Sequence, residues 1–306
     1  MKTVLAFLIS SVVAAAANGP VREVTSQAFL VGLQPVPGFQ KGYLFFLDHQ
    51  ANVELYKPDG SLAFTRVLEL PKAASLSATG LAVDTDGGVA VSVAYQTGGR
   101  FGGGIFFLDS TGRQTAFVDT GLYMPGNLCF GEDQALWAFG WQRSEGQDHA
   151  EPSDYLMVRK YSPDRKEAGR YLPRSLFPKG LEPGSPSWQQ IRIAVAHNKL
   201  GLLAWSGVTS SHGEWVELDL DGNLIRRVPM YDPRVGEIAF TPDGHLYRLK
   251  HGSKQLLVLD QTTSAWKDAG PSPLPCLWGA DGKQLVFSTY ERGPIHLQWF
   301  EEPISP

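Results

Sequence analysis

The fold is decided by one stretch of the sequence, GEIAFTPDGHLYRLKHGSKQLLVLDQTT, residues 236–263. Short apolar runs in it alternate with turn residues, so that TPDG separates IAF from HLYRL and DQTT follows QLLVL. Asp-Gly and Pro-Asp between apolar runs favour tight turns, because Gly tolerates a positive φ and Asp accepts hydrogen bonds from its own backbone. The stretch therefore predicts short strands joined by tight turns.

Turns of two kinds alternate along the rest of the chain. The first kind follows a short run of apolar residues: GLAVDTDGG (80–88), NLCFGEDQA (127–135), RIAVAHNKL (192–200), EIAFTPDGH (237–245) and CLWGADGKQ (276–284). The second kind joins alternating strands: ELYKPDGSL (54–62), FFLDSTGRQ (106–114), RKYSPDRKE (159–167), ELDLDGNLI (217–225) and LVLDQTTSA (257–265). No helical periodicity is sustained. A repeat of roughly 40 to 50 residues with four strands per unit is typical of β-propeller blades.

Counting these units predicts an all-β, six-bladed propeller over residues 18–306. VPGFQ (36–40) opens the remaining blade, and the last blade lacks a fourth strand after IHLQWF (295–300). VREVTSQAFLVGL (21–33) is otherwise unplaced, so we expect it to pair with residues 295–300 and close the ring. Closure of this kind leaves no exposed edge between the first and last units. A β-sandwich is the alternative, but it gives no reason for two strictly alternating turn types.

Residues 1–17 have the pattern of a signal peptide. Lys2 precedes an apolar run, Val4–Ala17, which ends in small residues and is too short to cross a bilayer comfortably. We expect a mature chain that starts at Asn18, has no membrane span and is secreted or periplasmic. Its net charge of −4 and its lack of a basic run argue against nucleic acid as a partner.

The two cysteines are expected to stay unpaired, even in an exported protein. Cys129 opens the third blade and Cys276 opens the sixth, which faces it across the ring. A disulfide needs Cα atoms within about 7 Å, and opposing inner strands should lie farther apart.

Blade openings such as EIAFTPDGHLY resemble those of NHL-repeat and gluconolactonase-like six-bladed propellers. In the latter, a Glu, an Asn and an Asp hold a divalent cation, and Asn127 in PGNLCFGED is similar to that Asn. The family's early Glu-Gly-Pro phrase is absent, and no later Asp-Gly motif matches. Amidating lyases, which are also similar, hold zinc with channel histidines, but no ligand-spacing motif is present here. We expect no cofactor and no metal site, with a divalent cation as the alternative.

Insertions concentrate in the connections between the second and third strands of a blade and between successive blades. They are YQTGGRFGGG (95–104), QRSEGQDHAEPSD (142–154), SLFPKGLEPGSPS (175–187), SGVTSSHG (206–213) and ERGP (291–294). Function is commonly carried by such loops on a rigid scaffold. GGRFGGG lacks the Gly-Lys-Ser/Thr of a phosphate loop and is interpreted as a flexible loop.

The connections with insertions should lie on one face of the propeller. Six residues are predicted to bind a ligand on that face: Asn127, Arg192, Glu237, Trp188, His212 and His251. The first three stand at the same position before LCF, IAV and IAF, where an Arg and a carboxylate would orient a polar ligand at the channel mouth. The alternative for these three is a ring of polar groups that hydrates the channel. Trp188 adjoins a Pro- and Ser-rich loop, and the two histidines lie in connections between second and third strands.

Three functions remain open at the level of sequence. The leading hypothesis is an exported propeller that binds a small polar ligand or an envelope or extracellular protein. The second is a metal-assisted hydrolase or lyase of the lactonase type that uses the same face. The third is a structural interaction module of an envelope assembly.

Overall fold

The computed structural model describes residues 19–30, 36–48, 50–144, 154–177, 193–205, 213–230, 238–250, 253–289 and 293–303. In these ranges the chain forms 24 β-strands and a single 3-10 helix, Arg174–Leu176. No helix within the described part of the chain is long and apolar enough to cross a membrane. The leader predicted for residues 1–17 lies outside the described residues and stays a prediction.

The strands form six antiparallel sheets of four strands each. The first blade consists of Val36–Gln40 (β2), Tyr43–Leu47 (β3), Asn52–Tyr56 (β4) and Leu62–Val67 (β5). The second consists of Ser75–Val83 (β6), Val89–Thr97 (β7), Arg100–Leu108 (β8) and Gln114–Gly121 (β9). The third consists of Tyr123–Phe130 (β10), Leu136–Gln142 (β11), Leu156–Tyr161 (β12) and Glu167–Pro173 (β13). The fourth and fifth consist of Ile193–Ala196 (β14), Lys199–Trp205 (β15), Gly213–Asp219 (β16) and Leu224–Met230 (β17); and Ile238–Phe240 (β18), Leu246–Leu249 (β19), Gln255–Leu259 (β20) and Trp266–Pro271 (β21).

The sixth blade joins both ends of the chain. Cys276–Asp281 (β22), Gln284–Ser288 (β23) and Gly293–Glu301 (β24) are completed by the N-terminal strand Arg22–Leu30 (β1), which pairs antiparallel with β24. The first strands of neighbouring blades contact one another, β2 with β22, β6 with β10, β10 with β14, β14 with β18 and β18 with β22, and the contact of β3 with β6 completes the ring. The six-bladed propeller and its closure by the N-terminal strand are therefore confirmed.

Aromatic and branched side chains fill the space between blades. Trp137, Trp215 and Trp299 are fully buried, and Trp215 packs edge-on against Phe240 of the next blade at 5.5 Å between ring centroids. These three tryptophans are therefore core residues. Cys129 and Cys276 are buried and form no disulfide with each other, as predicted.

Candidate functional site

The meander topology gives the propeller two different faces. Turns from first to second and from third to fourth strands lie on one side, which we call the short-turn face. The remaining connections lie on the other side, which we call the long-loop face. On the short-turn face several turns are fixed by an Asp whose Oδ1 accepts two backbone N–H groups: Asp84, Asp109, Asp219 and Asp260. These turns are therefore held by hydrogen bonds within themselves.

The inner strands of the blades are tied to one another by side chains. Each inner strand pairs with a neighbour on one side only, so its other edge carries backbone groups that need partners. Gln40 donates to the Leu81 carbonyl at 3.3 Å and accepts from the Val83 N–H at 3.1 Å. Thr79 donates to the Pro125 carbonyl at 2.6 Å. These bonds link the first blade to the second and the second to the third.

Cys129 in the third blade makes a similar contact with the inner strand of the fourth blade, at Val195. Burial raises the pKa of its thiol, while the charge of Lys41 and a backbone hydrogen bond from Val195 oppose the shift. The thiol is therefore kept in its neutral form and acts as a small buried group. Burial also lowers the pKa of Lys41, against the charges of Cys129 and nearby carboxylates. This part of the inner ring is occupied by packing and structural bonds.

Of the six residues predicted to bind a ligand, only Asn127 lies within the described part of the chain. It is half-buried in the middle of β10, where its Cα pairs with Phe139, and Gly126 before it forms a bulge. Arg192, Glu237, Trp188, His212 and His251 lie outside the described residues. The polar constellation at the channel mouth therefore stays a prediction.

Three histidines, His197, His245 and His296, lie within the described part of the chain. His197 and His245 belong to the short-turn face, and His296 lies in β24, where it contacts the Thr25 hydroxyl at 2.9 Å. His49 and His149 lie outside the described ranges. Among the residues that are described, no group of three or more His, Cys, Asp or Glu side chains is placed to hold a metal ion.

The insertion at residues 95–104 is a regular β-hairpin, and the prediction of a flexible loop at GGRFGGG was wrong. β7 and β8 pair along their whole length, from Val89 with Leu108 to Thr97 with Arg100. The turn consists of Gly98 and Gly99, with φ of 57° and 78°. A two-residue hairpin turn of this kind requires a positive φ at both positions, which Gly adopts without strain.

The glycines after Phe101 make room for aromatic rings rather than for movement. A Cβ on Gly102 would lie 2.5 Å from Cζ of Tyr95, and one on Gly104 would lie 2.3 Å from Cζ of Phe117. Both rings therefore lie flat on the strand. Their centroids are 6.1 Å apart with the planes at 62°, which is a favourable edge-to-face contact. The glycines give blade 2 a smooth aromatic surface close to the long-loop face.

A cleft of about 1050 Å³ surrounds this hairpin, and we call it the hairpin cleft. One wall comes from the connection between the first two blades, another from the end of β9 and the start of the third blade. Its lining residues are Leu70, Pro71, Tyr95, Gln96, Thr97, Gly99, Arg100, Phe101, Gly102, Phe117, Asp119, Gly121, Leu122 and Ser144. The size is at the upper end of the range for sites that hold small molecules, roughly 300–1000 Å³.

Tyr95 and Asp119 form a fixed polar pair inside the cleft. Burial, and then a hydrogen bond to Asp119, raise the pKa of the Tyr95 hydroxyl to about 12. Asp119 also accepts the Gly121 N–H at 2.8 Å. The Tyr95 hydroxyl therefore stays protonated at neutral pH and is suited to orienting a ligand, whereas it is unsuited to acting as a base.

Arg100 is an exposed positive charge among the described residues of the cleft. It is exposed next to the hairpin turn and makes no hydrogen bond or ion pair with any described residue. Side chains alternate along a strand, so Arg100, Gly102 and Gly104 share a sheet face, and Tyr95 and Asp119 stand opposite the two glycines on that face. On the other face, the Arg143 guanidinium lies 5.0 Å from the centre of the Phe101 ring.

The sequence did contain a signal for this site. Gly-Gly between two alternating apolar runs is a hairpin pattern, and Tyr95, Phe101 and Phe117 flank it. The grouping of Tyr95, Arg100 and Asp119 depends on the pairing of three strands. Spacing along the chain does not reveal that register.

Comparison with known proteins identifies no family for this chain. No family model and no curated protein matches the chain. Similar solved structures include a gluconolactonase from Xanthomonas campestris, with 15% identity, coverage of 92% of this chain and 99% of that one, and a TM-score of 0.49. PQQ-bound aldose sugar dehydrogenase from Streptomyces coelicolor has 12% identity, coverage of 92% and 100%, and a TM-score of 0.48. Virginiamycin B lyase from Staphylococcus aureus has 14% identity, coverage of 90% of this chain and 98% of that one, and a TM-score of 0.45. None of these values supports carrying an activity over to this chain.

Proposed function

We propose that this protein is an exported β-propeller that binds a small polar ligand in the hairpin cleft on its long-loop face. The observation that carries the proposal is the cleft itself, because it combines aromatic surface with a few fixed polar groups. Small-molecule sites commonly have this composition. The cleft lies on the face where the sequence predicted binding.

The rigidity of the cleft also supports binding. The Tyr95 and Phe117 rings rest on glycine backbone, and the Tyr95 hydroxyl is held by Asp119. A site that is ordered before the ligand arrives loses little entropy on binding. In the turns of the short-turn face at Asp84 and Asp219, by contrast, the aspartate already accepts the backbone N–H groups.

The proposal is tested by blocking the cleft. Thr97 lies on the cleft-lining face of β7, so Thr97→Trp fills the cleft with a residue that strands accommodate well. The matched control is Ser110→Trp, an exposed turn residue of the same blade on the short-turn face. Thermal-shift screening of the wild type against a library of neutral, cationic and anionic small molecules identifies the compounds to compare.

We expect compounds that stabilise the wild type and Ser110→Trp, and that fail to stabilise Thr97→Trp. Stabilisation that persists unchanged in Thr97→Trp would place binding elsewhere and contradict the proposal. A library without any stabilising compound would also count against small-molecule binding.

A further inference from the structure

We infer that the hairpin cleft selects a carboxylate attached to a ring, with the carboxylate on Arg100 and the ring on Tyr95. The inference rests on the proposed function and names the class of ligand. It depends on where the charges of the cleft lie and on which of them are already in use.

Arg100 has no partner among the described residues, although a guanidinium offers five N–H donors in a planar fork. This fork matches the two oxygens of a carboxylate and binds it through two parallel hydrogen bonds. Arg143, on the Phe101 ring, also forms no ion pair with a described residue. The end of the cleft near the hairpin turn is therefore electropositive.

The carboxylate of Asp119 does not cancel this charge. Asp119 stands opposite Gly104, four residues along β8 from Arg100, which is about 13 Å at the rise of a strand. Asp119 is also engaged by the Tyr95 hydroxyl and the Gly121 N–H. Glu69 and Lys72, which flank the Leu70–Pro71 wall in sequence, carry opposite charges.

Tyr95 supplies the surface for the ring. It stands opposite Gly102, two residues along β8 from Arg100 and on the same sheet face, which is about 7 Å away. A ligand whose carboxylate is joined directly to a ring bridges this distance when the Arg100 side chain bends toward Tyr95. Beyond Tyr95, the Phe117 ring continues the aromatic surface. The arrangement fits an aromatic acid or a sugar acid, which share this chemistry.

The test is isothermal titration calorimetry with two pairs of probes. Each pair contains an anion and its uncharged twin: 2-naphthoate with 2-naphthamide, and digalacturonate with its dimethyl ester. Wild type is compared with Arg100→Gln and with Arg113→Gln. Arg113 is an exposed arginine of the same blade on the short-turn face, where it pairs with Asp109 at 3.0 Å.

We expect at least one anion to bind the wild type and Arg113→Gln about tenfold or more tightly than its twin. Arg100→Gln should remove that preference. The pair that shows it distinguishes an aromatic acid from a sugar acid.

Equal affinity of the anion and its twin would overturn the inference, and so would a preference that survives in Arg100→Gln. Failure of all four probes to bind would overturn it as well. In each case the proposed function stands if the library screen finds a compound that Thr97→Trp excludes. It fails separately if that screen finds none.

Discussion

Gly102 shows at the scale of one residue how the backbone shapes the cleft. Any side chain at this position would clash with the Tyr95 ring, which already lies against the strand backbone and cannot move closer to it. We expect Gly102→Ala to push the ring outward and lower the free energy of unfolding by about 1–3 kcal/mol, which is typical of overpacking. Urea unfolding checks this, with Gly19→Ala as the control because its Cβ meets nothing within 4 Å. Equal stability of the two variants would contradict the role given to Gly102.

Glu217 is a second residue whose environment makes a measurable prediction. Its side chain is fully buried and accepts hydrogen bonds from Trp215 at 3.0 Å, from Lys199 at 3.3 Å and from Arg226. Burial by itself raises the pKa of this carboxyl, but the hydrogen bonds from Arg226 and Trp215 and both positive charges together lower it. Its stabilising effect is therefore complete above the ordinary value of 4.5 and is lost as the pH falls below that value.

We expect Glu217→Gln to lower the free energy of unfolding by about 2 kcal/mol at pH 7, because Arg226 and Lys199 lose their counter-charge. The gap between wild type and variant should stay constant from pH 7 to about 5 and should narrow as the pH falls from 4.5 to about 3. Urea unfolding across this range measures it. Glu214→Gln is the control. Glu214 lies in the same strand as Glu217 and pairs with Arg227 of β17, but it is partly exposed. A gap that is constant with pH would mean that the charge of Glu217 does not contribute.

The ligand-binding residues predicted from the sequence remain a prediction, because five of the six lie outside the described residues. Asn127 was chosen because polar residues recur before the inner strands, and it lies in mid-strand. Arg100 and Asp119 were not chosen, because the property that matters is their shared sheet face. That property arises from the register of β7, β8 and β9, which no local pattern specifies.

At the scale of elements, β1 is the strand whose position matters most. It is held by more than the pairing with β24, because the Arg22 guanidinium lies 4.3 Å from the centre of the Trp299 ring and donates to the Pro58 carbonyl at 2.6 Å. The Gln27 N–H reaches the Gly60 carbonyl at 3.0 Å. The N-terminal strand thus links the sixth blade to a turn of the first.

The register of β1 can be tested with an engineered disulfide. Thr25 and His296 are directly opposite, so Thr25→Cys with His296→Cys should form a bond on oxidation. Closing so long a loop stabilises by about 4–5 kcal/mol at most, and the melting temperature should rise. The control, Glu23→Cys with His296→Cys, is out of register by two residues. Equal cross-linking in both pairs, or none in the first, would contradict the closure.

Elements differ in how well the sequence predicted them. β1 was placed correctly because a propeller leaves one strand missing, and counting identifies the donor. The β7–β8 hairpin was mistaken for a flexible loop because consecutive glycines suggest disorder when they are considered alone. The physical reason for Gly102 and Gly104 lies in rings on neighbouring strands, and this packing becomes visible only when the strands are paired.

At the scale of the whole molecule, the two faces have divided roles. On the short-turn face, aspartates satisfy the turns and side chains join the inner strands of neighbouring blades. The long-loop face carries the extended hairpin and its cleft. The sequence predicted this division, because its insertions concentrate in the connections between second and third strands and between successive blades.

Hydrogen–deuterium exchange with and without a bound ligand tests the central claim most directly. The ligand is the probe or library compound that binds most tightly, at saturating concentration. Binding in the hairpin cleft should slow exchange in residues 95–102 and 117–122 and leave the turns at 84–88, 109–113 and 219–223 unchanged. Slowing confined to those turns would place the ligand on the short-turn face and contradict the account.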